Sequence, residues 1–320
     1  MISVYVHRNG ETQCVERVEP QWLDPASGVS LWVDLSQPSS EELEILDTVF
    51  HFHALAVEDA RSTLQFPKIE PYDSYLYLVL HGIDITRVSH RFATHDIDFF
   101  LGRNYLVTVH DGTFRSVESL RQLCERHSRL LAEGPVALLH RIVDAIVDHY
   151  RPVVEQIETR LTQLEDLAFQ GEPHMARKVT RVKRDLAEMR RILILQRDAI
   201  GRLARREFAA ISDEMAYRFR DVYDHVARLS EEAILFQDRV TGILEMNLAT
   251  VSNRLNEVMK VLTVMSTIFL PLTVLTGMWG MNVPLPHLPG GEQAQFWWIA
   301  GIMVVLVVAM LAAFRRKGWV

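Results

Sequence analysis

The chain has 320 residues, a length that allows a soluble domain and a further segment. Its formal net charge is −7, which argues against a nucleic-acid-binding protein because such proteins usually carry a basic excess. The two cysteines, Cys14 and Cys124, provide neither a disulfide framework nor a paired metal motif. We expect no signal peptide, because the stretch MISVYVHRNGE lacks a basic region followed by an apolar one.

Residues 1–135 alternate short β-like segments with helical ones, which predicts an α/β domain with a central sheet. Five segments are rich in β-branched and aromatic residues, as strands are: ISVYVH, VSLWVDL, YLYLVLHGI, DIDFFL and NYLVTVH. A helix is predicted from Ser39 through Phe50, because a serine cap and two first-turn acids open it. A second helix is predicted from Thr113 to Leu131.

Residues 136–260 show no convincing strand and are interpreted as a helical hairpin followed by a long stalk helix. The hairpin helices, 136–169 and 174–206, have opposite net charge, which suits antiparallel pairing although surface ion pairs contribute little. The second helix carries a basic run, RKVTRVKR at 177–184. This run leaves two interpretations open: binding of nucleic acid or anionic lipid, or a solvated helix face.

The stalk begins near Asp213, where apolar residues start to recur at steps of three and four, as in a coiled-coil seam. An extra four-residue step around Leu244 and Leu248 is expected to unwind the supercoil locally. The pattern continues into the first apolar span, so one helix of roughly 65 residues, ~100 Å long, is predicted. We expect such a seam to need a bundle of several chains.

Residues 261–320 contain two uncharged segments, 261–278 and 296–314, each close to the ~20 residues that cross a ~30 Å hydrocarbon core. Basic residues flank the outer ends of this pair: Arg254, Lys260, Arg315, Arg316 and Lys317. The loop 281–295 has none. The positive-inside rule therefore predicts a multi-pass protein with both termini in the cytoplasm and the loop outside. We expect the membrane to be a bacterial inner membrane.

The first span is not uniformly apolar. A stripe of polar, small and flexible residues follows steps of three and four: Asn256, Met259, Leu262, Ser266, Leu270, Thr273 and Gly277. Small and hydroxylated residues also occur at ordinary helix contacts in membranes. The alternative is a pore shared by symmetry-related copies, in which Met259, Leu262 and Leu270 form apolar constrictions that close by dewetting.

The motif Gly280-Met281-Asn282 follows this span and precedes a second span that ends in RRKGWV. This arrangement resembles the CorA family of divalent-cation channels, which includes CorA, ZntB and CmaX-like proteins. Four segments carry the resemblance: HALAVEDA (53–60), FPKIEPYDSYLYLVL (66–80), RFRDVYDHV (218–226) and NEVMKVLTVMSTIFLPLTVLTGMWGMN (256–282).

The resemblance implies a homopentamer with a cytoplasmic funnel, in which the first span lines the pore and the second packs outside it. We expect no enzymatic activity, because the sequence has no phosphate-binding glycine loop, nucleophile elbow or zincin motif. Gly280 would let the backbone turn, and Met281 would brace that turn. Five Asn282 side chains would form a neutral ring of carbonyl oxygens. Such a ring suits capture of a hydrated ion through its waters, and Mg²⁺ dehydrates reluctantly.

The resemblance also implies gating by divalent ions bound between cytoplasmic subunits. It places Asp221 at such a site, with Asp224 one turn away, and requires an acid from a neighbouring N-terminal domain. The sequence leaves Asp84, Asp96 and Asp98 open for that part. Divalent cations, with Mg²⁺ first and Co²⁺ or Ni²⁺ next, are thus expected as substrate and regulatory ligand, with no other cofactor.

The chain departs from the family pattern in four ways. Leu270 stands where some members carry methionine, and the hairpin helices are less acidic than in some members. Trp279 replaces the usual Tyr or Phe before the motif, and the following loop has Glu292 as its one acid, which weakens electrostatic recruitment of cations. These departures keep open a ZntB-like Zn²⁺ transporter, with or without proton coupling. An alternative of another class is a membrane-anchored coiled-coil scaffold without transport.

Overall fold

The computed structural model describes residues 1–62, 65–84, 92–111, 114–126, 130–172, 174–281 and 292–319. The strands of the described chain are β1 (Ile2–Arg8), β2 (Glu11–Val15), β3 (Ser30–Ser36), β4 (Lys68–Pro71), β5 (Leu76–Ile83), β6 (Thr94–Leu101) and β7 (Tyr105–His110). The α-helices are α1 (Ser40–Thr48), α2 (Ala54–Arg61), α3 (Arg115–Arg126), α4 (Pro135–Asp148), α5 (Tyr150–Gln170), α6 (Met175–Ala204), α7 (Asp213–Trp279) and α8 (Glu292–Arg316). The predicted class, an α/β domain followed by long helices and apolar C-terminal helices, is confirmed.

The sheet has the strand order β2-β1-β3-β7-β6-β5-β4. β3 and β7 pair in parallel and all other neighbours pair antiparallel. The five strands expected from sequence are present, whereas β2 and β4 were missed. Both are short edge strands with polar sequences, ETQCV and KIEP, so they lack the apolar pattern that identifies an inner strand.

One face of the sheet packs against α1 and α2, which contribute Leu46 and Val57 to a buried core. α1 begins as predicted. The Ser39 hydroxyl accepts a hydrogen bond from the backbone N–H of Glu42, whose carboxylate accepts one from the Ser39 N–H. This reciprocal capping satisfies two backbone donors that the first turn would otherwise leave unpaired.

The first hairpin helix was predicted as one segment, and the structure divides it into α4 and α5 at His149. Pro152 gives the physical reason. It has no backbone N–H to donate to the carbonyl of Asp148 four residues earlier, so an uninterrupted helix is disfavoured at this point.

The 67 residues of α7 confirm the predicted long helix. The first half of its seam is already buried in the single chain, from Met215 through Phe219 and Val226 to Val240. Polar contacts with the hairpin accompany this burial: Arg239 pairs with Glu165 of α5 at 2.9 Å, and Arg190 of α6 donates to Gln237 at 2.7 Å. The expectation that the whole seam needs other chains was therefore wrong for this half.

The second half of the seam is exposed in the single chain. Leu248 is 67% exposed and Leu255 is 61% exposed. The chain accordingly divides into two compact units. One comprises residues 1–167 and 174–244, and the other comprises residues 168–173 and 245–320. Within the second unit, α7 and α8 are both long and apolar enough to span a membrane, and their most apolar windows are 6% and 0% buried.

Asn104 allows a test of the α/β core. It is buried, and its amide donates to the carbonyl oxygens of Trp22 at 2.8 Å and Val29 at 3.1 Å. We expect Asn104→Ala to lower the free energy of unfolding by about 1–3 kcal/mol, because the buried carbonyl of Val29 and the part-buried carbonyl of Trp22 lose a donor. Thermal unfolding of the full chain in detergent measures this. Gln156→Ala, at an exposed position of α5, is the control and should leave the midpoint unchanged.

Candidate functional site

The predicted pore stripe lies on a face of α7 that the chain itself leaves uncovered. All seven positions, from Asn256 to Gly277, are exposed, and Leu270 reaches 71%. The less exposed positions of the same segment are Val264, Ile268, Pro271, Leu272, Leu275 and Trp279. At 100° per residue these centre roughly 180° from the stripe, so the stripe and the less exposed face lie on opposite sides of the helix.

Threonine hydroxyls in this segment bond back to the helix. Thr263 donates to the carbonyl of Met259 at 2.7 Å, and Thr273 donates to that of Phe269 at 2.8 Å. Pro271 lies between them inside α7 and cannot donate to the carbonyl of Thr267. The helix therefore lacks one backbone hydrogen bond in the middle of the span.

At the end of α7, Gly280 donates its N–H to the carbonyl of Thr276 at 2.9 Å. A Cβ on Gly280 would lie 3.1 Å from that same carbonyl oxygen, and its backbone is outside the left-handed region. Glycine is therefore favoured here by close approach of backbone to backbone rather than by a special φ. Met281 is exposed, and Asn282 lies outside the described residues.

A second group of potential ligands lies in the soluble unit, between α4 and α7. One ligand atom each from Asp144, Asp148 and His225 falls within 4.8 Å of the others. Asp144 and Asp148 are one turn apart on α4, and His225 is one turn after Asp221 on α7. A cation at this point would be met by two carboxylates and an imidazole, a donor set that accepts several divalent metals.

The electrostatics of the group favour a cation. The pKa of Asp144 is raised, first by burial and then by the repulsion of Asp148, with a further contribution from Asp221. A divalent ion would offset this repulsion and keep the carboxylates ionised. Next to the group, Asp148 and His225 line a cavity of about 360 Å³, and Arg151 pairs there with Glu232 at 2.8 Å.

The acids considered for the N-terminal domain differ in accessibility. The Asp84 carboxylate is 3% exposed and lies 3.1 Å from His95 Nε2. Asp96 is partly exposed and accepts a hydrogen bond from the backbone N–H of Gln65 at 3.1 Å. Asp224, by contrast, is exposed on α7.

Asp98 is a poor candidate for an interface ligand. Its side chain is enclosed between strands, where it accepts a hydrogen bond from the hydroxyl of Tyr77 on β5. Burial, with repulsion by Asp96 and Asp59, raises its pKa to about 8. This carboxyl is thus largely protonated at neutral pH and is enclosed within its own chain.

The model of the family described as CorA-like Mg2+ transporter protein matches residues 27–316 of this chain. The chain belongs to the CorA family. It is 33% identical over 296 residues to YfjQ of Bacillus subtilis, covering 90% of this chain and 89% of YfjQ. It is 29% identical over 325 residues to the cobalt/magnesium transport protein CorA of Thermotoga maritima, covering 99% of this chain and 90% of that protein.

The fold agrees with a solved CorA structure. The complete structure of the CorA magnesium transporter from Methanocaldococcus jannaschii superposes with a TM-score of 0.86 at 21% identity, covering 100% of this chain and 99% of that chain. CorA family members are membrane-embedded transporters of divalent metal ions, and this chain is a member.

Sequence reasoning missed Asp144, Asp148 and His225. Their signal was two four-residue spacings, Asp144/Asp148 on one helix and Asp221/His225 on another, each of which places both side chains on one helix face. Only the packing of α4 against α7 shows that the two faces meet.

The raised pKa of Asp98 predicts how the stability of the protein changes with pH. Because its folded pKa is raised, the native state holds a proton that the unfolded state has released between about pH 4 and pH 8. The free energy of unfolding should therefore fall as pH rises through this window, and Asp98→Asn should flatten the slope. Thermal unfolding against pH measures this. The exposed Asp73→Asn is the control, and an unchanged slope in Asp98→Asn would contradict the assignment.

Proposed function

We propose that the chain assembles as a homopentameric, inward-conducting channel for divalent cations, with Mg²⁺ as the principal ion and Co²⁺ or Ni²⁺ as further substrates. The observation that carries this proposal is the uncovered stripe of α7 opposite its less exposed face. The polar side chains Asn256, Ser266 and Thr273 find no hydrogen-bond partners in lipid. In an assembly of several copies around a central pore axis, the same side chains would face water.

The orientation in the proposal follows from the charges. Both termini and the soluble domain lie in the cytoplasm, and the loop after α7 lies outside. An interior-negative potential then drives cation entry, since ~100 mV contributes ~2.3 kcal/mol per elementary charge. Flux would need no energy source other than this gradient.

Asn282 forms the filter in this proposal. A ring of amide oxygens is polar enough to hold the water shell of a divalent ion and too weak to trap the ion, so passage stays fast. Gly280 supports the ring by allowing close backbone approach at the end of α7. Met259, Leu262 and Leu270 serve as the apolar gate, because three exposed hydrophobic side chains at one helix face can dewet a narrow pore.

The regulatory site in the proposal combines Asp221 with Asp144, Asp148 and His225, and Asp96 is the N-terminal acid accessible enough to join it from a neighbour. Bound Mg²⁺ would hold α7 against α4 by cancelling the repulsion between their carboxylates. Falling Mg²⁺ would release that repulsion. Because α7 is one continuous helix from this group to the span, the same element carries the regulatory ligands and the gate.

Zinc transport is a second candidate, and one observation favours it. His225 gives the cytoplasmic group an imidazole, a ligand that Zn²⁺ accepts readily and Mg²⁺ rarely uses. If the chain transports Zn²⁺, we expect its regulatory site to bind Zn²⁺ as well. Proton coupling of that transport can then be tested.

Asn282→Ala tests the filter. In proteoliposomes containing the full chain, we expect uptake of Mg²⁺ to fall at least about tenfold, because the hydrated ion loses its ring of acceptors. Asn282→Asp should instead bind divalents more tightly and slow their passage. Asn253→Ala, at an exposed α7 position outside the stripe, is the matched control.

The same vesicles separate the alternatives. Zn²⁺ uptake that exceeds Mg²⁺ uptake and responds to a pH gradient would replace the magnesium assignment by the zinc one. Unchanged flux of every ion in Asn282→Ala would overturn the asparagine ring. No flux in the unmodified protein would support a scaffold without transport.

The regulatory group is tested by the double variant Asp144→Asn/Asp148→Asn. Saturating Mg²⁺ should stabilise the unmodified chain by about 2.7 kcal/mol at one hundred times its Kd. The variant should need an Mg²⁺ concentration at least about ten times higher to reach the same shift in thermal midpoint. Asp166→Asn/Asp238→Asn, two exposed carboxylates outside the group, should respond as the unmodified chain does. An identical Mg²⁺ response in the first variant would contradict the site.

A further inference from the structure

The cavity next to the potential metal ligands of α4 and α7 is also lined by two arginines. Asp148 and His225 belong both to those ligands and to the cavity lining, so a bound cation would lie at the cavity wall. Arg151 and Arg228 line the same cavity. All four residues lie within one compact unit of the chain. One cavity therefore combines side chains that fit a cation with side chains that fit an anion.

The metal ligands and the arginines follow the same order on two neighbouring helical segments. Arg151 follows Asp148 by three residues, and Arg228 follows His225 by three residues. Three residues correspond to about 4.5 Å of helix rise. The ion pair between Arg151 and Glu232, at 2.8 Å, shows that the two segments meet at this level. The arginines thus lie about one turn beyond the metal ligands, a separation that a phosphate group can bridge by binding the cation and a guanidinium through different oxygens.

The two arginines are available to an added anion. Arg228 is exposed and makes no ion pair with any residue in the described ranges. Arg151 is shared between Glu232 and Glu155, which lies 3.3 Å away. Ion pairs at such exposed side chains contribute little. A guanidinium binds two phosphate oxygens at once, so phosphate is an anion that suits both arginines.

The charge of this cavity depends on whether a cation is bound. Two carboxylates of the lining, Asp148 and Glu232, balance its two guanidiniums, Arg151 and Arg228. The adjoining carboxylate of Asp144 makes the sum over these five side chains −1. A divalent cation adds two positive charges and changes that sum to +1. An anion is therefore repelled by the free cavity and attracted by the cation-bound one.

The coordination chemistry of Mg²⁺ favours the same combination. In proteins Mg²⁺ is usually held by one or two carboxylates together with phosphates of a substrate, and it keeps several waters. Asp144 and Asp148 supply two carboxylates, which leaves coordination positions for phosphate oxygens. The cavity volume of about 360 Å³ lies within the range of small-molecule sites, roughly 300–1,000 Å³.

We propose that this cavity binds a polyphosphate, either free or carried by a nucleotide, together with Mg²⁺. Asp144 and Asp148 bind the cation, phosphate oxygens complete its coordination, and Arg228 binds the same phosphates one turn further along α7. The inference rests on the metal group of the proposed function and adds a second ligand to it. Because the cation and the polyphosphate share one site, each strengthens the binding of the other. The supply of polyphosphate would thereby set the Mg²⁺ concentration to which the regulatory group responds.

Calorimetric titration of the full chain in detergent tests the proposal, with ATP and inorganic triphosphate as probes. At constant free Mg²⁺, the unmodified chain should bind ATP, and removal of divalent cations with EDTA should weaken this binding at least about tenfold. Tighter binding of ATP than of triphosphate would identify a nucleotide as the ligand. Equal binding of the two would identify the polyphosphate alone.

Arg228→Gln should weaken ATP binding at least about tenfold, because charge-assisted hydrogen bonds to phosphate are lost. It should keep the stabilisation by Mg²⁺ alone. Arg220→Gln, at another exposed arginine of α7 outside the cavity, is the matched control and should bind ATP as the unmodified chain does.

Two results would overturn the polyphosphate site: equal ATP binding in Arg228→Gln and the unmodified chain, or ATP binding that does not depend on divalent cations. In both cases stabilisation by Mg²⁺ alone would leave the proposed regulatory group intact. A complete lack of Mg²⁺ stabilisation in the unmodified chain would instead overturn the metal group itself, and this inference with it.

Discussion

One helix in this protein has to satisfy two different environments. The first half of α7 buries an apolar seam against the hairpin of its own chain, with Phe219 and Val226 fully enclosed and Arg239 paired to Glu165. The second half presents apolar side chains that are mostly exposed, since its most apolar window is 6% buried. The two halves belong to one helix, Asp213–Trp279, so the backbone that carries the buried seam also forms the span.

The hydrophobic effect explains why the two halves differ. In water, the seam residues must be covered, and α4, α5 and α6 provide that cover within the chain. In lipid, exposure of Val, Leu and Phe costs nothing, so the span does not need such cover, and its specific contacts must come from other forces. The polar stripe and the close backbone approach at Gly280 are features that depend on polar groups and tight packing rather than on the hydrophobic effect.

The group between α4 and α7 depends on charge instead. Asp144, Asp148 and Asp221 bring negative charges together at the junction of α4 and α7, where burial already raises the pKa of Asp144. A cluster of this kind costs folding free energy unless a cation or a proton neutralises it.

The sequence by itself determined the elements that depend on local or periodic signals. These are the five inner strands, the serine-capped helix at Ser39, the long helix from Asp213, the two apolar spans and the Gly280-Met281-Asn282 motif. Edge strands β2 and β4 and the break at His149 were missed, because short polar strands and a single proline leave a weak periodic signal. Tertiary structure alone decided three further points. It paired Asp144 and Asp148 with His225 across two helices, enclosed Asp98 beneath Tyr77, and buried half of the α7 seam in its own chain. Each of these depends on which faces meet in space, and hydrophobic periodicity specifies a face of each helix but not its partner.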